Sequence, residues 1–92
     1  MTRPVTRASV MRLAPPFRLQ WEDAQNAFVL LYPEGMVSLN ATAGAILDHC
    51  DGARPVGEIV GEMQARYPGA EIENDVLDFF RVALDKGWIR DE

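Results

Sequence analysis

His49 and Cys50 stand side by side, the sole histidine and the sole cysteine of the chain. An imidazole and a thiol are the ingredients of a nucleophilic pair, in which the base must reach the sulfur through a hydrogen bond. The surrounding pattern works against that use. Ala43, Ile46, Leu47 and Cys50 recur at i, i+3, i+4 and i+7, the stripe of a helix buried along one side. Neighbours on a helix project about 100° apart, so the two side chains diverge, and Cys50 reads as a small buried hydrophobe. A zinc site needs several ligands within tetrahedral reach, and one His-Cys pair does not supply them. Glu71, Glu73, Asp75 and Asp78 cluster without the regular spacing and closing Glu of a calcium loop; they read as the solvated start of a helix. Gly52, Gly57 and Gly61 form neither a phosphate loop nor a dinucleotide fingerprint. From these residues the expectation is no nucleophilic pair, no zinc or calcium site and no nucleotide-binding loop.

The 92 residues allow one domain with one modest core. Net charge is −5, unevenly spread: Arg3, Arg7, Arg12 and Arg18 sit in the first 20 positions without an acid, so the remainder is strongly acidic. An acidic body argues against nucleic acid, whose phosphates demand Lys and Arg. A lone cysteine precludes an intrachain disulfide and suits the cytoplasm. No apolar run approaches the roughly 20 residues of a membrane span, and the N-terminus lacks the apolar segment of a secretory signal. Residues 1–16, with Pro4, Pro15 and Pro16, read as an arm, flexible or packed on a second subunit; residues 17–92 read as the domain.

That domain must be built from strands first and helices after. Phe17, Leu19 and Trp21 alternate with Arg18, Gln20 and Glu22, the period of a half-buried strand. Asp23 to Asn26 supply a turn. Ala27 to Tyr32 are apolar on both faces, as a central strand should be. Tyr32-Pro33-Glu34-Gly35 reads as a type I turn, and Met36 to Leu39 as a short third strand. The expected class is α+β, a three-stranded antiparallel meander followed by three helices. The first helix starts at an Asn40 cap and stops at Gly52. The second starts near Pro55 and stops at Pro68-Gly69. The third runs from about Glu73 to Lys86, with Gly87 as its terminator and Trp88 folding back on Ala83.

The third helix carries more apolar surface than a core requires. Asn74, Asp78, Arg81 and Asp85 make one polar stripe; Val76, Leu77, Phe79, Phe80, Val82, Ala83 and Leu84 cover an arc of roughly 220°, about twice the usual stripe. Val76, Phe80 and Ala83 take the core. Leu77 with Leu84, and Phe79 with Val82, form two flanks, one of which lines a groove unless the other helices cover both. The third strand adds a second feature: no charge or proline blunts its edge, which suits strand addition by an extended peptide unless the N-terminal arm or a dimer partner shields it.

Several strings together carry a family resemblance. They are Arg18-Leu19-Gln20-Trp21-Glu22, the run from Val29 to Val37 containing Tyr32-Pro33-Glu34-Gly35, Leu39-Asn40, Thr42-Ala43, Cys50-Asp51-Gly52, Tyr67-Pro68 and Gly87-Trp88-Ile89. From Phe17 to Ile89 the chain resembles the PqqD family of pyrroloquinoline quinone biosynthesis, the leader-peptide recognition elements. The resemblance implies a winged-helix-like fold without catalytic residues or cofactor. It implies a chaperone that binds the precursor peptide PqqA and presents it to the radical S-adenosylmethionine enzyme PqqE. Carried over by position, the peptide would add beside Gly35, Met36, Val37, Ser38 and Leu39, against a helix flank drawn from Leu77, Phe79 and Leu84. Arg54-Pro55-Val56 departs from the family pattern at the start of the second helix, away from that groove. The rival reading is a structural or oligomerising module whose helix flank is a homodimer interface.

Overall fold

The computed structural model describes residues 4–92. Nine elements follow in order: β1 (Val10–Leu13), β2 (Arg18–Glu22), β3 (Ala27–Tyr32), β4 (Gly35–Ser38), α1 (Ala41–Asp48), β5 (Asp51–Pro55), α2 (Val56–Arg66), α3 (Ile72–Asp85) and β6 (Ile89–Asp91). They form two three-stranded antiparallel sheets, ordered β2-β3-β4 and β5-β1-β6, around three helices. This is the expected α+β, winged-helix-like class, with the meander intact and both of its outer strands at edges.

The meander's register explains its two faces. Leu19 pairs with Leu30, Trp21 with Phe28 and Val37 with Leu30, so the apolar positions stack on the side that meets the helices. Phe28 packs against α1 at Gly44, where a Cβ would lie 2.9 Å from the ring. Only glycine lets the helix settle that close to β3. On the opposite face Val29 is fully buried between its cross-strand partners Gln20 and Ser38, while Met36 is half exposed.

The second sheet is a correction. An arm was expected over residues 1–16; instead Val10–Leu13 is the central strand between β5 and β6, and Met11 is fully buried. The stretch of that arm over residues 1–3 lies outside the described residues. Four residues bounded by prolines carry little local signal, and their partners lie some 40 and 80 positions away along the chain, where no local pattern can announce them.

Helix ends follow capping chemistry. The Asn40 side chain accepts from the Ala43 N–H at 2.8 Å, as expected of a cap. That helix ends earlier than expected, at Asp48 rather than Gly52. The N–H groups of His49 and Cys50 turn back to Ile46 and Leu47, and the chain leaves as β5. α3 closes with Gly87 at φ +76, its N–H bonded to Leu84 and that of Trp88 to Ala83, the paired bonds of a Schellman motif. The core gathers Met11, Leu30, Ile46, Ile59 and Met63 with α3's Val76, Phe80 and Ala83, all essentially inaccessible.

Candidate functional site

β4 is an edge strand, and its two-residue connection to β3 fixes which way its backbone points. Tyr32 and Gly35 flank Pro33-Glu34 and pair directly. A hairpin of this kind closes on a hydrogen-bonded pair, and bonded and non-bonded pairs then alternate. Gly35 and Val37 therefore spend their N–H and C=O groups on Tyr32 and Leu30. Met36 and Ser38, opposite Leu31 and Val29, direct theirs to the open side. Leu39 follows the strand and is buried.

The four sheet edges among the described residues are not equivalent. β2 carries Arg18 and Glu22, β5 carries Asp51, Arg54 and Pro55, and β6 carries Arg90 and Asp91. Charges and prolines of this kind discourage strand addition. β4, Gly-Met-Val-Ser, has neither.

Where β4 runs into α1, a cleft of about 300 Å³ opens between α1 and α3, lined by Asn40, Thr42, Ala43, Ile46, Asp75 and Phe79. The two flanks of α3 thus have different surroundings. At 100° per residue, Asp75, Phe79, Val82 and Lys86 fall on the cleft side. Val82 is half exposed there. Leu77 and Leu84 fall with Glu73 on the other side. Arg7 forms an ion pair with Glu73, fastening the N-terminal segment over that end of the helix, and both leucines pack partly buried against the core. Phe79 therefore sits at the cleft while Leu77 and Leu84 do not line it. Reading the sequence alone missed Asn40, Thr42, Ala43 and Ile46. The signal was available: a cap residue directly after an edge strand places the helix start at the strand's end.

His49 and Cys50 do not form a pair. The His49 Nε2 lies 3.4 Å from Glu62 on α2, whereas the Cys50 Sγ donates to the Ile46 carbonyl at 3.3 Å. Burial, aided by the Asp51 charge, pushes the thiol from 9.0 up to about 12. A thiol so protected is a poor nucleophile. Asp51 accepts from the N–H groups of Arg54 and Ala53, which hold its carboxyl below the usual carboxylate range. The Cys-Asp-Gly string is thus a turn into β5. Among the described residues no cluster of three or more His, Cys, Asp or Glu is placed to hold a metal ion, and no helix is long and apolar enough to cross a membrane.

Residues 27–89 match the model of the family described as coenzyme PQQ synthesis protein D. The chain belongs to the PqqD family. Its relatives include a PqqA binding protein of Stutzerimonas stutzeri, 57% identical over 74 residues that cover 79% of this chain and 80% of that one. A PqqA binding protein of Methylococcus capsulatus is 46% identical over 83 residues, covering 90% and 89%. The solution structure of the PqqD truncation of Methylobacterium extorquens PqqCD superposes with a TM-score of 0.76 at 28% identity, covering 94% of both chains. That protein is described as a functional, stand-alone recognition element for ribosomally synthesised and post-translationally modified peptides. The PqqD family match spans β3 through the start of β6, and so includes β4, the cleft and all of α3.

Proposed function

We propose that this chain binds the precursor peptide PqqA as an added strand on β4 and presents it to the radical S-adenosylmethionine enzyme PqqE, in the cytoplasm. The observation that carries this reading is the juxtaposition of an uncharged open edge with an apolar-floored cleft. An incoming strand takes its backbone bonds from Met36 and Ser38. Its side chains alternate between two faces: one set turns toward the cleft and Phe79, the other toward the half-exposed Met36 side chain on the sheet's outer face. The named relatives support the peptide as ligand; the unblunted edge supports the mode of binding.

The test is a heteronuclear NMR titration of the whole chain with the PqqA peptide. The expected result is perturbation of Gly35 to Leu39, Asn40, Thr42, Asp75, Phe79 and Val82. Perturbation confined to the β2 edge or to the Leu77 and Leu84 flank overturns the placement. Presentation is tested by adding PqqE to the loaded chain: peptide and enzyme should be held together in one sedimenting species. A chain that self-associates through the apolar flank of α3 and ignores the peptide would instead be the homodimer module.

A further inference from the structure

We propose that the cleft beside Phe79 selects one cationic side chain of the bound peptide, a lysine or arginine, with the Asp75 carboxylate as its counter-ion. This deepens the peptide-binding reading and rests on it. The cleft has an apolar floor of Ala43, Ile46 and the Phe79 ring, and a polar rim of Asn40, Thr42 and Asp75. Such a site matches a side chain with an apolar stem and a polar tip. Three facts make that tip cationic.

First, no side chain among the described residues donates to the Asp75 carboxylate. Arg7, Arg54 and Arg81 have carboxylate partners of their own, Glu73, Asp51 and Asp78, and no arginine among the described residues lines the cleft. Second, Lys86, on the same flank, lies eleven residues further along α3, about 16 Å at 1.5 Å per residue, and sits over the Trp88 ring instead. Third, the Asn40 side-chain oxygen is already committed to the Ala43 N–H. Asp75 is thus the one charged acceptor on the rim, beside the Thr42 hydroxyl. A metal ion is a poor alternative occupant, since one carboxylate does not make a site. The Phe79 ring adds a face on which a cation is favoured. An apolar peptide residue would use the floor alone and leave the exposed Asp75 carboxylate to solvent.

The experiment measures PqqA peptide affinity for the intact chain and for Asp75→Asn and Asp75→Lys at two salt concentrations, alongside peptides in which each basic residue is replaced singly by Gln and, separately, by Glu. For a partly exposed pair the Asn variant should bind about three- to tenfold more weakly, with a shallower salt dependence. Replacing one particular basic residue should weaken binding to the unaltered chain by a similar factor and have no further effect on Asp75→Asn. Asp75→Lys should recover affinity for the peptide that carries Glu at that position. The proposal is overturned if Asp75→Asn, with its fold verified by circular dichroism, binds every peptide as the unaltered chain does. Failure of the unaltered chain to bind any peptide would instead overturn the binding reading, and this proposal with it.

Discussion

The N–H of Trp88 reaches back to the carbonyl of Ala83 at 2.9 Å, across a Gly87 held at φ +76. That closure ends α3 and launches β6, and it brings the Trp88 ring within 6.4 Å of Phe79. Nothing crowds Gly87, for a Cβ there would meet open space. Its requirement is purely one of backbone conformation. Gly87→Ala should therefore destabilise the fold by about 1 kcal/mol, the cost of a left-handed non-glycine residue. Urea unfolding should report a lower midpoint with an unchanged slope.

Stability and binding should separate on α3. Phe80 is fully buried and Phe79 half-buried at the cleft. Phe80→Ala should cost about 3–5 kcal/mol, a large share of the stability of a domain this size. Phe79→Ala should cost less and weaken PqqA binding per folded molecule. Leu77→Ala and Leu84→Ala, on the flank that carries the Arg7–Glu73 pair, should lower stability and leave affinity unchanged. Parallel denaturation and peptide titration of the four variants check this. Equal loss of affinity from Leu84→Ala and Phe79→Ala would contradict the assignment of flanks.

The legible parts of this fold were those written in local chemistry. Asn40 capping α1, the turn between Tyr32 and Gly35 and the Gly87 closure each involve groups a few residues apart. The core face of α3 was legible too, because Val76, Phe80 and Ala83 recur at helical spacing. The end of α1 was misread for an instructive reason. Cys50 completes an i, i+3, i+4, i+7 series and is indeed buried, but it reaches the core from beyond the helix, after a tight turn. Burial at helical spacing does not require a helix to the last member. The sheet around β1 was invisible because its pairing joins distant segments. The cleft was half legible: surplus apolar surface on α3 was evident, but its division between a covered and an open flank depends on where Arg7 and the N-terminal segment lie.

The buried thiol should make stability fall at alkaline pH. Cys50 is held neutral, with its pKa raised from 9.0 to about 12 in the folded chain. A raised value means that the contribution is complete below the unfolded value and is lost progressively as pH climbs from about 9 toward 12. The full effect is on the order of a few kcal/mol. Cys50→Ala loses packing at neutral pH yet should show a flatter decline above pH 9. Chemical denaturation across that range compares the two slopes. Native Cys50 should likewise resist alkylation until the chain unfolds, and peptide binding should survive the substitution.

The open edge of β4 makes the sharpest prediction, because its parity is fixed by the hairpin. Val37 faces Leu30 as a hydrogen-bonded pair, whereas Met36 and Ser38 point their N–H groups outward. Proline removes the donor at its own position. Val37→Pro should break a bond to β3 and bury an unmatched carbonyl, at a cost of about 1–3 kcal/mol for the unsatisfied group alone. The fold should suffer and the unfolding midpoint should drop sharply. Met36→Pro and Ser38→Pro delete donors that have no partner within the meander, so the fold should largely persist. Each should instead remove a backbone bond to the incoming peptide, worth about 0.5–1.5 kcal/mol net, with a further cost for the peptide carbonyl left unpaired. Affinity should fall by about tenfold or more, since 1.4 kcal/mol is one decade. Met36→Ala and Ser38→Ala serve as controls that shorten the side chain and keep the N–H. Strand addition on β4 requires the proline variants at 36 and 38 to bind more weakly than their alanine counterparts while remaining folded. If they bind PqqA as tightly, the peptide does not pair with this edge.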